Sequence, residues 1–276
     1  MASKLPPSPI PARWRPSPLV SVSLGLHAGA LALVLARSSA WPWAIGAVIA
    51  DHILLTAAGL TPRSALLGPN WTRLPAAASG RREIAITIDD GPDQRITPRV
   101  LDLLDERGAK ATFFCIGERV QRYAELTREV VRRGHSVENH SQRHLNYFSL
   151  LGPRGLIAEV ERAQDTIGIT TGQQPLFFRA PAGLRSPFLD PVLSRLGLRL
   201  ASWTRRGFDT VNSSAPTVLG KLTRGLGAGD ILLLHDGHAA LTDNGEAVIL
   251  EVLPRLLDAL AAARLTPVTL RAALTP

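Results

Sequence analysis

The sequence predicts an α/β domain built on a parallel sheet and preceded by an apolar helical segment. Strand-like runs and amphipathic runs alternate about seven times from residue 83 onward. The strand-like runs are almost continuously apolar, which is typical of parallel strands covered by helices. Residues 1–82 instead contain two long stretches with few charges. Seven strands in about 190 residues would form either a doubly wound sheet or a small, incomplete barrel.

The charge distribution argues against a nucleic-acid-binding protein, although the 276 residues carry a formal net charge of +8. Residues 1–82 contain eight basic residues and one acid, whereas residues 83–276 contain 23 basic and 22 acidic residues. The sheet domain therefore lacks the clustered positive charge that binding to a nucleic-acid backbone requires. A single cysteine, Cys115, excludes a disulfide framework and a cysteine-rich zinc module.

The N-terminal region has the pattern of a membrane segment. We expect residues 1–18 to be a disordered basic segment, residues 19–60 to form one or two membrane helices, and residues 61–82 to be a proline-containing linker. The stretch 19–36 is uncharged and would be about 27 Å long as a helix. A secretory signal peptide and a soluble helical hairpin are the alternatives.

The second apolar stretch, residues 40–60, decides the membrane topology. It contains Asp51 and His52, which are costly in hydrocarbon. Basic residues before the first stretch keep the N-terminus in the cytoplasm by the positive-inside rule. One span would place the sheet domain outside the membrane, and two spans would return it to the cytoplasm. Four arginines that follow the second stretch favour the hairpin, namely Arg63, Arg73, Arg81 and Arg82.

Periodicity gives the individual elements of the domain 83–276. Strands are predicted at 83–89, 111–117, 135–139, 175–179, 199–203, 230–235 and 267–270. Amphipathic helices are predicted at 97–107, 120–133, 153–169, 187–196, 215–226 and 246–263. Neither a GxGxxG nor a GxxxxGK[ST] motif follows the first strand, so a nucleotide site has no local support.

Ionisable residues collect where the predicted strands end. They are Asp89 and Asp90 after the first strand, His140 and His144 after the third, Arg179 at the fourth, Asp209 after the fifth, and His235 at the sixth. In a β/α barrel these strand ends meet at one mouth, where catalytic groups lie. The pattern therefore favours an enzyme.

Two histidines and a carboxylate among these residues suggest a metal site, and a third histidine suggests an acid on the opposite side. His140 and His144 would lie on one side of a helical turn and, with one carboxylate, would bind a divalent metal with an open coordination position. His235 follows four apolar residues and would act as a general acid. We expect His135 to be structural, and Asp236 and His238 to be turn and surface residues.

The motifs at these strand ends resemble those of the polysaccharide deacetylase family, the NodB-homology or family 4 carbohydrate esterase group. The motifs are TIDDGP (87–92), HSQRH (140–144), RAPAG (179–183), WTRRGFD (203–209) and LLLHD (232–236). Their order and spacing match over roughly residues 82–272. The resemblance implies a distorted (β/α)₇ barrel and metal-dependent hydrolysis of N-acetyl groups on amino sugars.

The resemblance also implies a role for each matching residue. Asp89 would be the general base, and Asp90, His140 and His144 would be the metal ligands. Arg179 would orient Asp89, and His235 would be the general acid, steadied by Asp209. Pro181 and Ala182 would lie on the oxyanion and substrate side, with the Ala182 N–H holding the oxyanion. Zinc is the expected metal, and cobalt, nickel or manganese would suit the same ligands.

Four positions depart from the family pattern. Ala182 stands where an aromatic residue is frequent, Arg206 where Asp is common, Thr210 where Trp is common, and Glu138 where Gly is usual. The changes at Ala182, Arg206 and Thr210 bear on the sugar specificity rather than the chemistry, and the sequence offers no physical account of Glu138.

Three functions remain open at this point. The substrate would be an N-acetylated polysaccharide or glycan, or an acetylated or formylated amino sugar linked to a lipid. A membrane-anchored glycan-binding barrel without activity is the third alternative. The N-terminal helix or helical hairpin is expected to anchor the protein in a bacterial inner membrane, while the side of the catalytic domain and the oligomeric state stay open.

Overall fold

The centre of the protein is a curled sheet of eight parallel strands with helices on its outside. The structure is a computed structural model and describes residues 13–275. The strands are β1 (Glu83–Asp89), β2 (Ala111–Cys115), β3 (Ser136–Asn139), β4 (Phe177–Phe178), β5 (Arg199–Leu200), β6 (Arg205–Arg206), β7 (Ile231–His235) and β8 (Thr266–Pro267). They lie in the order β5-β4-β3-β2-β1-β7-β6, and β8 pairs with the start of β1.

Ten α-helices accompany the sheet within the described residues. They are α1 (Pro18–Ala36), α2 (Trp41–Gly59), α3 (Ala76–Gly80), α4 (Thr97–Glu106), α5 (Gly117–Arg122), α6 (Ala124–Arg132), α7 (Pro153–Thr171), α8 (Leu189–Leu196), α9 (Ala215–Thr223) and α10 (Val248–Ala262). The helix predicted at 120–133 is divided into α5 and α6, because Tyr123 leaves the helical conformation with φ −120° and ψ 50°.

Alternation along the strands decides which side chains enter the barrel. In β1, Ile84, Ile86 and Ile88 face the surrounding helices, so Ala85, Thr87 and Asp89 face the interior. The same alternation in β7 turns Ile231, Leu233 and His235 inward. Asp89 and His235 are register partners on the adjacent strands β1 and β7. The inward rows thus end in ionisable groups at one mouth, as the sequence predicted.

The segment predicted as a linker, residues 61–82, is packed against the barrel. The sheet has an opening between β5 and β6, and Trp71 enters it by forming a parallel bridge with Ala201. Leu74 and Ala78 are buried in the barrel interior, and α3 lies against β1. This segment is therefore part of the fold, because the sheet alone leaves apolar surface uncovered at that opening.

Helices α1 and α2 form an antiparallel hairpin beside the barrel. Each is long and apolar enough to cross a membrane by length and composition, with a mean hydropathy of 2.1 for Pro18–Ala36 and 1.3 for Ser38–Gly59. Large apolar side chains on the distal half of the hairpin are exposed, including Leu35 at 78% and Trp43 at 81%. This exposure is unusual for a helix that packs in a soluble core.

Polar residues of the hairpin face each other across its two helices. Asp51 is buried and accepts a hydrogen bond from Ser23 Oγ at 2.7 Å. The Nε2 atoms of His27 and His52 lie 3.2 Å apart. The cost of Asp51 in an apolar segment is thereby reduced by a partner on the neighbouring helix.

Both ends of the hairpin are attached to the barrel domain. Trp14 Nε1 donates to Asp190 Oδ2 at 2.8 Å, and Ser17 Oγ donates to Leu66 O at 2.6 Å and caps α1. After α2, the Arg185 N–H donates to Gly59 O at 3.2 Å. Residues 13–17 of the segment predicted to be disordered therefore have defined contacts, and residues 1–12 lie outside the described part of the chain.

Glu138 on β3 stands at a position where the family usually has a glycine, and its side chain has a structural role that the sequence did not predict. Its side chain is fully buried and accepts from the backbone N–H groups of Leu176 and Phe177 at 2.7 and 2.9 Å. It also forms an ion pair with Arg271 at 2.6 Å. Burial raises the pKa of Glu138, although the charge of Arg271 opposes this effect. The carboxylate joins β3, the entry to β4 and the C-terminal segment.

We expect Glu138→Ala to lower the free energy of unfolding by about 3 kcal/mol, because it leaves Arg271 and two backbone donors without their acceptor. Glu246→Ala is the matched control, since Glu246 pairs with Arg99 on the surface. Its loss should cost about 1 kcal/mol or less. Denaturation curves of the detergent-solubilised variants would measure both effects, and equal losses would contradict the role of Glu138.

Candidate active site

A cleft of about 310 Å³ opens at the mouth where the strand ends meet. It is lined by Asp89, Asp90, His140, His144, Asn146, Ala182, Gly183, Trp203, Arg206, Thr210, Leu233, His235 and His238. Most of the ionisable residues predicted at the five strand ends line this cleft. The two exceptions, Arg179 and Asp209, contact the lining residues Asp89 and His235.

Asp89 is held in place by a fully buried arginine. Arg179 Nη1 donates to Asp89 Oδ1 at 2.6 Å and to Thr87 Oγ1 at 2.8 Å. The other guanidinium nitrogens donate to the carbonyl oxygens of Ala201 and Ser202. Because the guanidinium is rigid and planar, these four bonds fix the orientation of the Asp89 carboxylate.

Asp90, His140 and His144 converge on one point of the cleft. Asp90 Oδ1 lies 3.3 Å from His140 Nε2 and 3.2 Å from His144 Nε2. His140 Nδ1 is 2.8 Å from Arg179 O, and a carbonyl can only accept, so this nitrogen carries the proton. His140 therefore presents the lone pair of Nε2 to the cleft, which is the arrangement that metal-binding histidines use.

The loop 140–144 brings the two histidines together without forming the predicted helical turn. Ser141 and His144 have φ values of 62° and 52°, in the left-handed region. Asn139 Oδ1 accepts from the Ser141 N–H at 2.9 Å, and Ser141 Oγ accepts from the His144 N–H at 3.0 Å. These side-chain hydrogen bonds replace the helical ones, so the prediction of a helical turn is wrong while the pairing is correct.

Carboxylates and imidazoles in this cluster shift one another's pKa values, favourably between opposite charges and unfavourably between the two histidines. Burial opposes ionisation of Asp90, but the imidazoles of His140 and His238 hold its pKa well below the usual range. Burial also lowers the pKa of His140, and the charges of Asp89 and Asp90 outweigh it and raise that pKa. Burial and the charge of His140 lower the pKa of His144 to about 4. An anionic carboxylate beside a neutral His144 is the protonation state that suits metal binding.

The three residues fit a divalent metal. Their ligand atoms lie within 4.8 Å of one another, and Asp90 Oδ1 is buried with no hydrogen-bond partner among the described residues. Two imidazoles and one carboxylate are a donor set that zinc and neighbouring transition metals accept, and they leave a coordination position open.

His235 lies on the opposite side of the cleft and is oriented by Asp209. Asp209 Oδ1 lies 2.9 Å from His235 Nδ1, and Asp209 Oδ2 accepts from the His235 backbone N–H at 2.7 Å. Asp209 is completely buried. Burial lowers the pKa of His235, but the hydrogen bond and charge of Asp209 outweigh it and raise the pKa above its ordinary value.

The RAPAG motif forms a third wall of the cleft. Pro181–Gly183 is a short 3₁₀ helix in which Ala182 has φ 55°, and Ala182 is exposed to the cleft whereas Pro181 is buried. A Cβ atom on Gly183 would lie 2.6 Å from the Trp203 ring and 2.7 Å from Pro62 Cβ. Gly183 is thus required by the close approach of Pro62 and Trp203 behind this wall.

Arginine and aromatic side chains occupy the wall where the family pattern is altered. The Arg206 guanidinium lies 5.4 Å from the Trp203 ring centre and 5.0 Å from the Phe208 ring centre. Phe208 is 45% exposed. This stacked group presents a cation at the cleft, where the family commonly has an acid.

The structure corrects one of the predictions for the residues around His235. Asp236 is buried and accepts from Thr97 Oγ1, and burial raises its pKa to about 7, so it is not a surface residue. His238 is 57% exposed in its side chain, as predicted, but its Nδ1 lies 3.2 Å from Asp90 Oδ2. Nothing in the sequence predicted these two contacts, apart from the position of both residues near the end of a strand. His135 accepts from the Ala111 N–H at 3.1 Å and is structural, as predicted.

Comparisons with known proteins now decide the family. A family described as polysaccharide deacetylase matches residues 76–201. A peptidoglycan-N-acetylglucosamine deacetylase of Bacillus cereus is 36% identical over 177 residues, which cover 63% of this chain and 81% of that protein. The chain belongs to the polysaccharide deacetylase family. This confirms the predicted resemblance and the enzyme class, a hydrolase that deacetylates carbohydrate.

Two further relatives agree with the assignment. A chitooligosaccharide deacetylase of Bradyrhizobium is 34% identical over 161 residues, which cover 58% of this chain and 73% of that protein. The family 4 carbohydrate esterase of Streptomyces lividans, solved with acetate, has a TM-score of 0.61 at 30% identity and is covered to 91%, against 67% of this chain. The predicted fold class, a distorted β/α barrel behind apolar helices, is thereby confirmed.

We expect Asp209→Asn to lower the pKa of His235, because the substitution removes the negative charge that raises it. In the wild type the raised pKa stabilises the fold below pH about 6.5, and this stabilisation is lost as the pH rises through the raised value. NMR titration of the His235 ring would measure the shift. Asp258→Asn, an exposed change, is the control, and an unchanged His235 in Asp209→Asn would contradict the pairing.

Proposed function

We propose that this deacetylase hydrolyses the N-acetyl group of an amino sugar with the help of a divalent metal held by Asp90, His140 and His144. The observation that carries the proposal is the convergence of these ligand atoms, with Asp90 Oδ1 at 3.3 and 3.2 Å from the two imidazole Nε2 atoms, in the cleft that Asp89 and His235 also line. No other cluster among residues 13–275 combines such a ligand set with a candidate base and a candidate acid.

The protein's own groups divide the proton transfers between two walls of the cleft. Asp90, His140 and His144 would hold the metal, whose Lewis acidity would polarise the amide carbonyl and lower the pKa of water. Asp89, fixed by Arg179, takes the proton of the attacking water. His235, whose raised pKa keeps it protonated to higher pH, gives a proton to the departing amine. The products are acetate and a free amino sugar.

The backbone at Ala182 and Pro181 is the proposed contact for the oxyanion and the sugar. Ala182 lines the cleft on a short turn with φ 55°, Pro181 has no N–H, and the Gly183 N–H donates to Ala180 O, so the Ala182 N–H is the donor that we assign to the oxyanion. Asp209 acts through His235, since it contacts His235 and is completely buried.

Zinc is the metal we propose, with cobalt, nickel and manganese as substitutes for the same ligands. The relatives act on two kinds of substrate by their names, peptidoglycan and chitooligosaccharide. An N-acetylated glycan of this kind is the first candidate substrate for this chain.

A lipid-linked amino sugar, carrying an acetyl or formyl group, is the second candidate. The observation that favours it is the attachment of an apolar hairpin directly to the loops of the cleft. A glycan-binding barrel without activity is disfavoured, because the base, the acid and all three ligands are present together.

We propose that the hairpin anchors the protein in a bacterial inner membrane, as a two-helix membrane segment at residues 19–60. Both ends of the hairpin contact the barrel domain, so two crossings would place residue 13 and the barrel on the same side. Arginines at that end, namely Arg13, Arg15, Arg63, Arg73, Arg81 and Arg82, outnumber Arg37 in the turn between the helices. The positive-inside rule then favours a barrel in the cytoplasm, a side that suits a lipid-linked precursor better than a cell-wall polymer.

Substitution of the two adjacent carboxylates tests the assignment of roles. Asp89→Asn should retain the metal and lower the rate of acetate release about 10²–10⁴-fold, the usual range for acid–base catalysis. Asp90→Asn should lose metal and activity together, since it removes one of three ligands. Elemental analysis and acetate release from N-acetylated oligosaccharides would measure both properties. Equal metal contents with equal activity losses in the two variants would refute the assignment.

Reporter fusions test the topology. A phosphatase that is active only outside the cytoplasm, fused after Arg82, should be inactive, and a cytoplasmic reporter at the same position should be active. Fusions after Arg37, in the turn of the hairpin, should give the opposite pattern. Phosphatase activity after Arg82 would exclude the two-crossing hairpin.

A further inference from the structure

A second cavity, of about 500 Å³, lies between the hairpin and the barrel domain. Its walls are mainly apolar, with Val20, Leu24 and Leu55 on the hairpin and Leu150, Leu184 and Phe188 on the barrel domain. The volume is in the range of ligand-binding sites. Among the described residues 13–275, Arg185 is the one lining residue with a permanent charge, and none of the lining residues is a carboxylate.

The cavity and the catalytic cleft are bounded by the same two loops. The loop that carries His144 and Asn146 into the cleft continues to Ser149 and Leu150 at the cavity. The loop that carries Ala182 and Gly183 continues directly into the cavity wall at 184–188. Along the chain, the residues that line the cleft and those that line the cavity are thus separated by residues 147–148 in the first loop and are consecutive in the second.

The rim of the cavity is exposed, apolar and close to the membrane-length helices. Leu24, Leu60, Leu150 and Phe188 are 59%, 60%, 84% and 50% exposed. Exposed apolar side chains of this size, concentrated at one place, mark a surface that meets lipid or an apolar ligand. The hairpin provides two walls of the cavity, so a chain leaving the bilayer along α1 would enter it directly.

We propose that this cavity binds the hydrocarbon chain of a glycolipid substrate while its N-acylated amino sugar occupies the catalytic cleft. The inference rests on the proposed function and names its substrate class. The absence of a carboxylate in the lining suits a neutral or anionic glycolipid. The hydrocarbon chains of bulk phospholipid are the alternative occupant of this cavity, and competition labelling distinguishes them from the chain of a glycolipid.

Two substitutions on one face of α1 form a matched pair. Leu24→Trp fills part of the cavity. Leu31→Trp lies one heptad away on the same face, about 10 Å further along the helix, and outside the cavity. Leu24 and Leu31 are 59% and 62% exposed, so the two variants add the same side chain at similar exposure.

The first measurement compares two substrates of the full-length enzyme in lipid nanodiscs with metal added. They are N-acetylglucosamine with a hexadecyl aglycone and the same sugar with a methyl aglycone. The wild type and Leu31→Trp should prefer the long chain at least about tenfold in kcat/KM, because several methylenes are buried. Leu24→Trp should lose most of this preference and keep its activity on the methyl glycoside. Equal kcat/KM for both substrates in the wild type would overturn the chain site and leave the proposed function intact.

The second measurement does not depend on activity. A hexadecyl glycoside with a photoreactive diazirine in its chain should label peptides that contain residues 184–191 and 149–150. An excess of the unlabelled glycolipid should prevent this labelling, and Leu24→Trp should reduce it. Labelling that phospholipid prevents equally well, or that is confined to the distal faces of α1 and α2, would overturn the proposal. If neither glycoside is hydrolysed, acetate release from N-acetylated oligosaccharides decides the proposed function and the labelling alone decides the cavity.

Discussion

The buried guanidinium of Arg179 is the interaction on which both the barrel and the site depend. A buried charge is costly unless it is paired and hydrogen-bonded, and here Arg179 forms four hydrogen bonds, to Thr87 and Asp89 on β1 and to the carbonyls of Ala201 and Ser202 after β5. It therefore connects opposite sides of the barrel close to the opening of the sheet. The group that orients Asp89 also holds the strands that surround it, so catalytic geometry and barrel closure are coupled.

This network extends from the site to the hairpin. The Ser202 N–H donates to Trp71 O, and Ser202 Oγ donates to Pro62 O at 2.6 Å. Pro62 follows α2 by three residues and packs behind Gly183. Three consecutive contacts thus link the Asp89 carboxylate to the end of α2, without passing through solvent. Movement of the hairpin relative to the barrel would therefore strain the wall of the cleft. Attachment of the hairpin at both helix ends prevents this movement.

Much of the site could be predicted because it follows from local rules. Period-two alternation in β1 and β7 is enough to turn Asp89 and His235 inward, and the parallel arrangement is enough to gather the strand ends. The predicted helical turn at 140–144 does not form, because the side chains of Asn139 and Ser141 accept hydrogen bonds that compete with a helix. The packing of residues 61–82 and the burial of Asp236 depend on partners distant in sequence, namely Ala201 and Thr97. No periodicity within those segments contains that information.

The polar residues of the N-terminal hairpin are tolerated in its apolar helices because of the positions they occupy. Asp51 pairs with Ser23 inside the hairpin, while His27 and His52 lie at the side that borders the apolar cavity. A segment that only anchored the protein would need none of these groups, since a uniformly apolar hairpin would be more stable in lipid. Ser23, His27 and His52 all border the cavity, next to loops that also bound the cleft. The polar groups of the hairpin therefore lie on its side toward the barrel domain, where the two are joined through the same loops that form the mouth of the barrel.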